Sequence, residues 1–246
     1  MAASGDMGVF VVTGGSRGIG AAIARDAAAA GYHVLLSYAG RQAEAVVGAI
    51  RAAGGRADSV RADTGRPADI VALYAAADAL GPLAVLCYNG GVTGGVGRLD
   101  DADDATLAEV VAVNLTGAMI AAREAVRRLS TARGGRGGSN VLIGSLAARL
   151  GAPAQHVGDA ATKGGVASLV TGLAKEVATE GVRVNLVSPG PIDTEIHAPG
   201  HLARISDALP MKRAGTPEEV SAAVLFVCSA AASYISGATI EVGGAR

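Results

Sequence analysis

Asp159 and Lys163 stand four residues apart in the stretch VGDAATKGGV. On a helix that spacing turns both side chains to one face. On an open surface the pair is an ordinary ion pair, stabilising by about 0.3–0.5 kcal/mol. In a pocket it is a carboxylate beside an ammonium, able to hold a cation or move a proton, and Lys163 is expected to push the carboxyl of Asp159 below its usual value. His156, one turn earlier, and Tyr88 are further titratable side chains that could share such a pocket. A second chemical signature is TGGSRGIG at 13–20. Gly14, Gly18 and Gly20 permit a tight turn and close approach of backbone to a pyrophosphate, with Ser16, Arg17 and Ile19 between them. A helix starting there presents N–H groups and positive dipole charge to the phosphates. The nicotinamide cofactor can be chosen as well. NAD binding usually needs an acid near the end of the second strand, but LLSYAGRQ at 35–42 has none before Glu44. Arg17 and Arg41 are placed instead to meet a 2′-phosphate, which favours NADP(H).

These groups need a scaffold, and the chain supplies an alternation of β-branched runs and Ala-rich stretches. Strands are predicted at 8–14, 33–38, 57–63, 83–89, 140–145, 182–188 and 238–242. Helices are predicted at 18–30, 41–53, 67–80, 104–132, 156–180 and 217–229. Pro67 suits a first helical turn, Thr216 an N-cap, and GGRGGS at 134–139 a turn. Nearly continuous apolar strands between helices indicate a parallel sheet covered on both faces. The expected fold is an α/β, Rossmann-type doubly wound parallel sheet of about seven strands. With no long linker or repeat, residues 1–246 read as one domain, long enough to bury a large core.

Half of the 246 residues are hydrophobic and 17% are charged, with a net charge of -1, so nothing points to nucleic acid or an anionic membrane as partner. No secretory signal is evident, and no uninterrupted apolar run approaches the ~18–20 residues of a span. Cys87 and Cys228 lie in separate apolar stretches and read as free thiols of a cytoplasmic protein. The spacing of His197 and His201 falls in a Pro/Gly-containing segment and gives no metal site.

Taken together, TGGSRGIG (13–20), Ala62-Asp63, YNGG (88–91), Asn114 in VAVNLTG, Ser145 in LIGSLAARLGAP, Lys163 in ATKGG and NLVSPGPIDTE (185–195) resemble the classical short-chain dehydrogenase/reductase family over essentially the whole chain. The resemblance extends to 215–244. It implies that Ser16, Arg17 and Ile19 line a dinucleotide with the glycines and Tyr38. It places Asp63 and Thr64 at the adenine, Asn89, Gly90 and Gly91 on the adenosine side, and Pro189, Gly190, Ile192 and Thr194 at the nicotinamide end. It also implies a substrate lid at about 193–214 and a homo-oligomer, dimer or tetramer, built through the two longest helices. The family's Ser, Tyr, Lys and Asn act together on a small-molecule substrate. Here Ser145, Lys163 and Asn114 match, but the Tyr-x-x-x-Lys pattern puts Asp159 where tyrosine is expected. Lys163 would bind the nicotinamide ribose as well as tune Asp159. The family's Asn-Asn-Ala-Gly is also altered, to Tyr88-Asn89-Gly90-Gly91.

The exchange of phenol for carboxyl changes the expected chemistry. A phenol near pKa ~10, lowered by an ammonium, donates a proton to the alkoxide formed on ketone reduction. An ionised carboxylate cannot, and at ~4 Å it repels a developing oxyanion by roughly 4 kcal/mol at an effective dielectric of ~20, about a thousandfold in rate. An iminium acceptor escapes this, because its nitrogen already carries the proton and hydride addition leaves a neutral amine. The expected function is therefore an NADPH-dependent reductase, of C=N rather than C=O. The alternatives are a redox-silent dehydratase, cyclase or isomerase using Asp159 as acid or base, a non-catalytic nucleotide-binding subunit, or an inactivated carbonyl reductase.

Overall fold

A computed structural model describes residues 7–40, 42–196 and 200–246, without the side chains of His201 and Ala203. Arg41, His197 and lid residues 198–199 lie outside the described residues, as does the side chain of His201. Seven strands run β1 Val9–Val12, β2 His33–Tyr38, β3 Arg56–Arg61, β4 Leu83–Tyr88, β5 Gly138–Ile143, β6 Val182–Pro189 and β7 Thr239–Val242. They form one sheet in the order β3-β2-β1-β4-β5-β6-β7, and every pairing is parallel.

Strand side chains alternate between faces, and β1 shows why its run is apolar throughout. Phe10 and Val12 enter one core with Ala21, Ile23 and Ala24 of α1 (Gly18–Ala29), Val46, Val47 and Ile50 of α2 (Glu44–Ala52), and Val220 and Val224 of α9 (Pro217–Cys228). Val9 and Val11 enter the other with Ile70 and Leu73 of α3 (Pro67–Leu80), Ala118 and Ala121 of α5 (Gly117–Leu129), and Val166 and Val170 of α7 (Val157–Glu176). Each central strand is thus buried from both sides. The connection after β3 returns across the sheet to β4, so β1 and β4 are neighbours whose following loops diverge. Such a switch point leaves a crevice at the carboxyl ends of the strands, where the Gly14–Gly20 turn and the Asn89–Gly91 loop meet.

The sequence-based helix over 104–132 is corrected. It is α4 (Asp104–Val111), a π-turn (Ala112–Thr116) and α5, because the Gly117 N–H bonds Ala112 O, five residues back. The strand expected at 140–145 starts and stops two residues earlier, since Gly138 and Ser139 extend the ladder to Val182 and Arg183. Ser145 is therefore in the loop beyond the sheet. Two short helices were not foreseen, α6 (Ala147–Leu150) and α8 (His201–Ser206). The 26-residue stretch Asp104–Leu129 has a mean hydropathy of 1.6 over its most apolar window, long and apolar enough to cross a membrane. In the fold its Ala118, Ala121, Ala122, Ala125 and Leu129 are buried, and Arg123, Glu124, Arg127 and Arg128 form a charged cluster on it.

Thr216 does cap α9. Its Oγ1 accepts from Glu219 N (3.3 Å), and the Glu219 carboxylate accepts from Thr216 N (2.8 Å), completing a capping box. A Thr216→Ala protein should lose about 1 kcal/mol of stability, a fall in Tm of roughly 2–4 °C for a chain this long. Calorimetry showing no fall would remove the cap from the account of α9.

Candidate active and cofactor site

The π-turn delivers Asn114 to the mouth of the crevice. Its Oδ1 accepts from Val92 N (2.9 Å), which settles the amide's orientation, because a backbone N–H can only donate. Its Nδ2 then faces three acceptors: Val92 O (2.9 Å), Asp159 Oδ1 (2.9 Å) and Thr162 Oγ1 (3.2 Å). Two N–H bonds serve the two nearer oxygens best. The Thr162 hydroxyl in turn donates to Asp159 O (2.7 Å), tying the centre to the first turn of α7. Asn114 is fully buried and Asp159 half-buried.

Lys163, one turn further along α7, is also buried. Its Nζ donates to Ile143 O (3.0 Å) at the end of β5 and makes no ion pair with Asp159 among the described residues. This corrects the sequence-based expectation for the carboxyl. Burial raises the Asp159 carboxyl above its ordinary value, and the attractions of Lys163 and His156 only partly offset that. Burial likewise lowers the ammonium of Lys163, offset in part by Asp159. Asp159 is therefore a carboxyl under strain of charge rather than a permanently settled anion. Among the described residues it has one neutral amide donor and no counter-ion in contact. His156 Nδ1 donates to Gly95 O (2.7 Å), holding the imidazole at the start of α7. Ser145 Oγ accepts from Ala147 N (3.0 Å) and is not bonded to Asp159 or Lys163 among the described residues.

The glycine turn is shaped for a backbone-lined ligand. Gly14 and Gly18 have φ of +64° and +50°, which side chains disfavour. A Cβ on Gly20 would lie 2.3 Å from Gly14 O and 2.6 Å from Asn89 Nδ2. One on Gly91 would lie 3.4 Å from Lys163 Nζ and 3.5 Å from Asn114 Oδ1, so this glycine brings the loop after β4 close to both groups. Asn89 Nδ2 donates to Thr13 O and Gly14 O (3.1 Å each), joining the loop after β4 to the turn after β1. The main-chain cradle at the start of α1, with Lys163 at its far end, suits a dinucleotide.

The other predicted cofactor residues fall around this crevice. Arg17 is exposed at the N-terminus of α1 and, with Gly91, Val92, Glu109 and Ile196, lines a cavity of about 420 Å³. Ser16 is half-buried in the turn, and Ile19 and Tyr38 pack partly against the core beneath it. Thr64 approaches Gly90, where a Cβ would meet its Oγ1 at 2.8 Å. Asp63 Oδ1 accepts from Gly65 N (2.9 Å), with Arg66 3.6 Å from its other oxygen. Pro189 ends β6 and Gly190 N donates to Val242 O (2.9 Å). Thr194 reaches to Gly18, whereas the Ile192 side chain turns into the core, leaving only its backbone to the crevice. A larger groove of about 770 Å³ lies at the opposite end of the sheet, beside Arg183, Cys228 and Tyr234. It contains none of these residues, and the Arg183 guanidinium is already committed to Ser139 Oγ and to the carbonyls of Val227, Cys228, Ser229 and Ile235.

Sequence reasoning passed over Thr13, Val92 and Thr162. Thr13 Oγ1 accepts from both Asn89 N and Gly90 N (2.9 Å each), and Val92 clamps Asn114. Thr162 carried a usable signal, three residues after Asp159 on the same helix. Val92 acts through its backbone, which leaves no trace in residue type.

A family profile described as enoyl-(acyl carrier protein) reductase matches residues 14–244. The chain is 40% identical over 247 residues to the uncharacterized oxidoreductase YgfF of Escherichia coli (strain K12), covering 98% of this chain and 100% of that protein. It is 37% identical over 242 residues to cis-4-hydroxycyclohexanecarboxylate dehydrogenase of Sinomonas cyclohexanicum, covering 96% and 95% of the two chains. Among solved structures, a short-chain dehydrogenase from Burkholderia cenocepacia J2315 in complex with NADP superposes with a TM-score of 0.90 at 33% identity, covering 97% of both chains.

Proposed function

The chain belongs to the short-chain dehydrogenase/reductase family, and from that premise we propose that it is an NADP(H)-dependent reductase whose preferred acceptor is an imine, taken as its iminium ion. The observation that carries the reading is the state of Asp159: half-buried, held by one neutral amide, with its carboxyl raised by burial and, among the described residues, no cation in contact. Bound NADPH supplies a hydride. This chain's residues decide which acceptor can receive it.

A protonated C=N nitrogen offers Asp159 what the described residues do not, a positive N–H partner. The ion pair offsets the burial of the carboxylate and concentrates the reactive, protonated form of the substrate. The pairing weakens as charge leaves the acceptor, so its gain lies in population and orientation rather than in direct lowering of the barrier. A ketone oxygen, by contrast, meets repulsion of roughly 4 kcal/mol at ~4 Å as it becomes an oxyanion. Ser145 Oγ accepts Ala147 N with one lone pair, so its second is available to the iminium N–H. Lys163, whose Nζ lies beside Gly91, would hold the ribose of the cofactor. The raised carboxyl fits the same assignment, since a desolvated carboxylate gains more from a cationic N–H partner than an exposed Asp does.

Several supports favour NADP over NAD: Arg17 at the cavity rim, the absence of an acid near the end of β2, and the NADP complex of the Burkholderia relative. The lid at about 193–214, an oligomer through α4–α5 and α7, and a cytoplasmic setting belong to the same proposal. Val111 and Met119, large apolar residues exposed on α4 and α5, support the oligomer.

Assays of the purified chain with NADPH and NADH against cyclic imines and the matching ketones, from pH 6 to 8, test the reading. The expected result is kcat/KM at least about 100-fold higher for imines, with NADPH preferred. Faster turnover of ketones at every pH would overturn it.

A further inference from the structure

We propose that Tyr88 is a positioning residue, whose hydroxyl holds the π-turn in place and so aims the Asn114 amide at Asp159. The inference rests on the reading of Asp159 as the group beside the acceptor. In an unbroken α-helix the Gly117 N–H would bond Val113 O, four residues back. Here it bonds Ala112 O instead, which strips Val113 O of its helical partner. The Tyr88 hydroxyl, at the end of β4, donates to that carbonyl at 2.5 Å. Val113 directly precedes Asn114, so the residue freed by the altered register and the residue that carries the amide are adjacent.

The space for this bond is specific. A Cβ on Gly117 would lie 2.5 Å from Tyr88 Oη and 2.3 Å from Thr64 O, so the phenol reaches the turn only because residue 117 lacks a side chain. The ring is buried, and burial raises its hydroxyl well above the usual phenol value, so it remains a donor across the working pH range. Single π-turns inside α-helices recur at functional sites. In this one a side chain from the neighbouring strand replaces the lost helical hydrogen bond.

The test reads the Asp159 carboxyl in the cofactor-free chain by carbon-detected NMR titration, with the resonance assigned through its loss in Asp159→Asn. Activity is not needed for this readout, so failure of the imine assignment and failure of the clamp are separable. Tyr88→Phe keeps the ring and removes the donor. With Asn114 no longer held against the carboxylate, the Asp159 midpoint should rise by about half a unit or more, while Lys163 and His156 stay in place. In an Asn114→Ala background the same Tyr88→Phe change should add nothing, because the route through the amide is already gone. If Tyr88→Phe does not fold, Gly117→Ala, whose methyl must push the hydroxyl off Val113 O, is expected to move the midpoint in the same direction. A titration identical to the parent's, or a Tyr88→Phe shift that persists undiminished without Asn114, would overturn the proposal.

Discussion

Asp159→Asn should slow the reduction of cyclic imines by roughly 30- to 150-fold while making the protein more stable. The rate follows from exchanging a charge-assisted N⁺–H···O⁻ contact for a neutral one. That is a loss of about 2–3 kcal/mol in holding and orienting the protonated acceptor. The stability change has the opposite sign for a physical reason. Burial raises the folded-state pKa of Asp159 above its unfolded value, so between the two values the native state binds more protons than the unfolded one. Stability therefore falls as pH rises through that window, and the ionised carboxylate is a liability to the fold at neutral pH. An amide of the same shape still accepts from Asn114 and carries no charge. Wild type and variant should converge in Tm as pH drops below the raised value. In the wild type, imine turnover should fall as pH falls through the same window, while any residual ketone turnover should grow, because a protonated Asp159 can donate. Parallel Tm and kcat/KM profiles against pH check both halves. A variant that keeps full imine activity would remove Asp159 from the chemistry.

Gly20→Ala should abolish useful cofactor binding, with the NADPH dissociation constant raised at least about 100-fold. The added methyl would stand 2.3 Å from Gly14 O and 2.6 Å from Asn89 Nδ2, and neither is the loose end of a flexible side chain. Asn89 Nδ2 bridges Thr13 O and Gly14 O, so the methyl separates α1 from the turn and the turn from the loop after β4. Overpacking of this kind typically costs 1–3 kcal/mol, and here the displaced atoms build the turn proposed to hold the pyrophosphate. Gly48→Ala is the matched control. A methyl there meets nothing within 4 Å, and Gly48 lies inside α2, so that variant should bind normally and gain about 0.5–1 kcal/mol of stability. Fluorescence titration with NADPH reads both. Normal binding by Gly20→Ala would contradict the close approach of α1 to the turn.

Much of this molecule is written in local pattern. The alternation of buried strands with Ala-rich helices, the glycine turn between the first strand and helix, Pro67 in the first turn of α3 and the Thr216 cap all act over a few residues. Their physics is steric or short-range, so residue type and spacing carried them. For the candidate site, spacing singled out Asp159 and Lys163, whereas Asn114 and Gly91 came from the family resemblance; the structure sets Asn114 against Asp159 and Gly91 beside Lys163.

What depends on several distant segments at once was decided only by the fold. The helix expected over 104–132 is interrupted by the π-turn, whose Val113 O takes the Tyr88 hydroxyl of another strand in the space that Gly117 leaves. Periodicity within one segment cannot reveal a partner in another. The charge state of Asp159 turned in the same way. On sequence alone, an ammonium four residues away should lower the carboxyl. In three dimensions Lys163 turns to Ile143 O, while packing strips water from Asp159, and desolvation outweighs the attraction. Spacing along a helix reports which groups are near each other. Only the packed structure reports how much water each of them keeps, and that determines whether the Asp159 carboxyl behaves as a fixed anion or as one waiting for a cation.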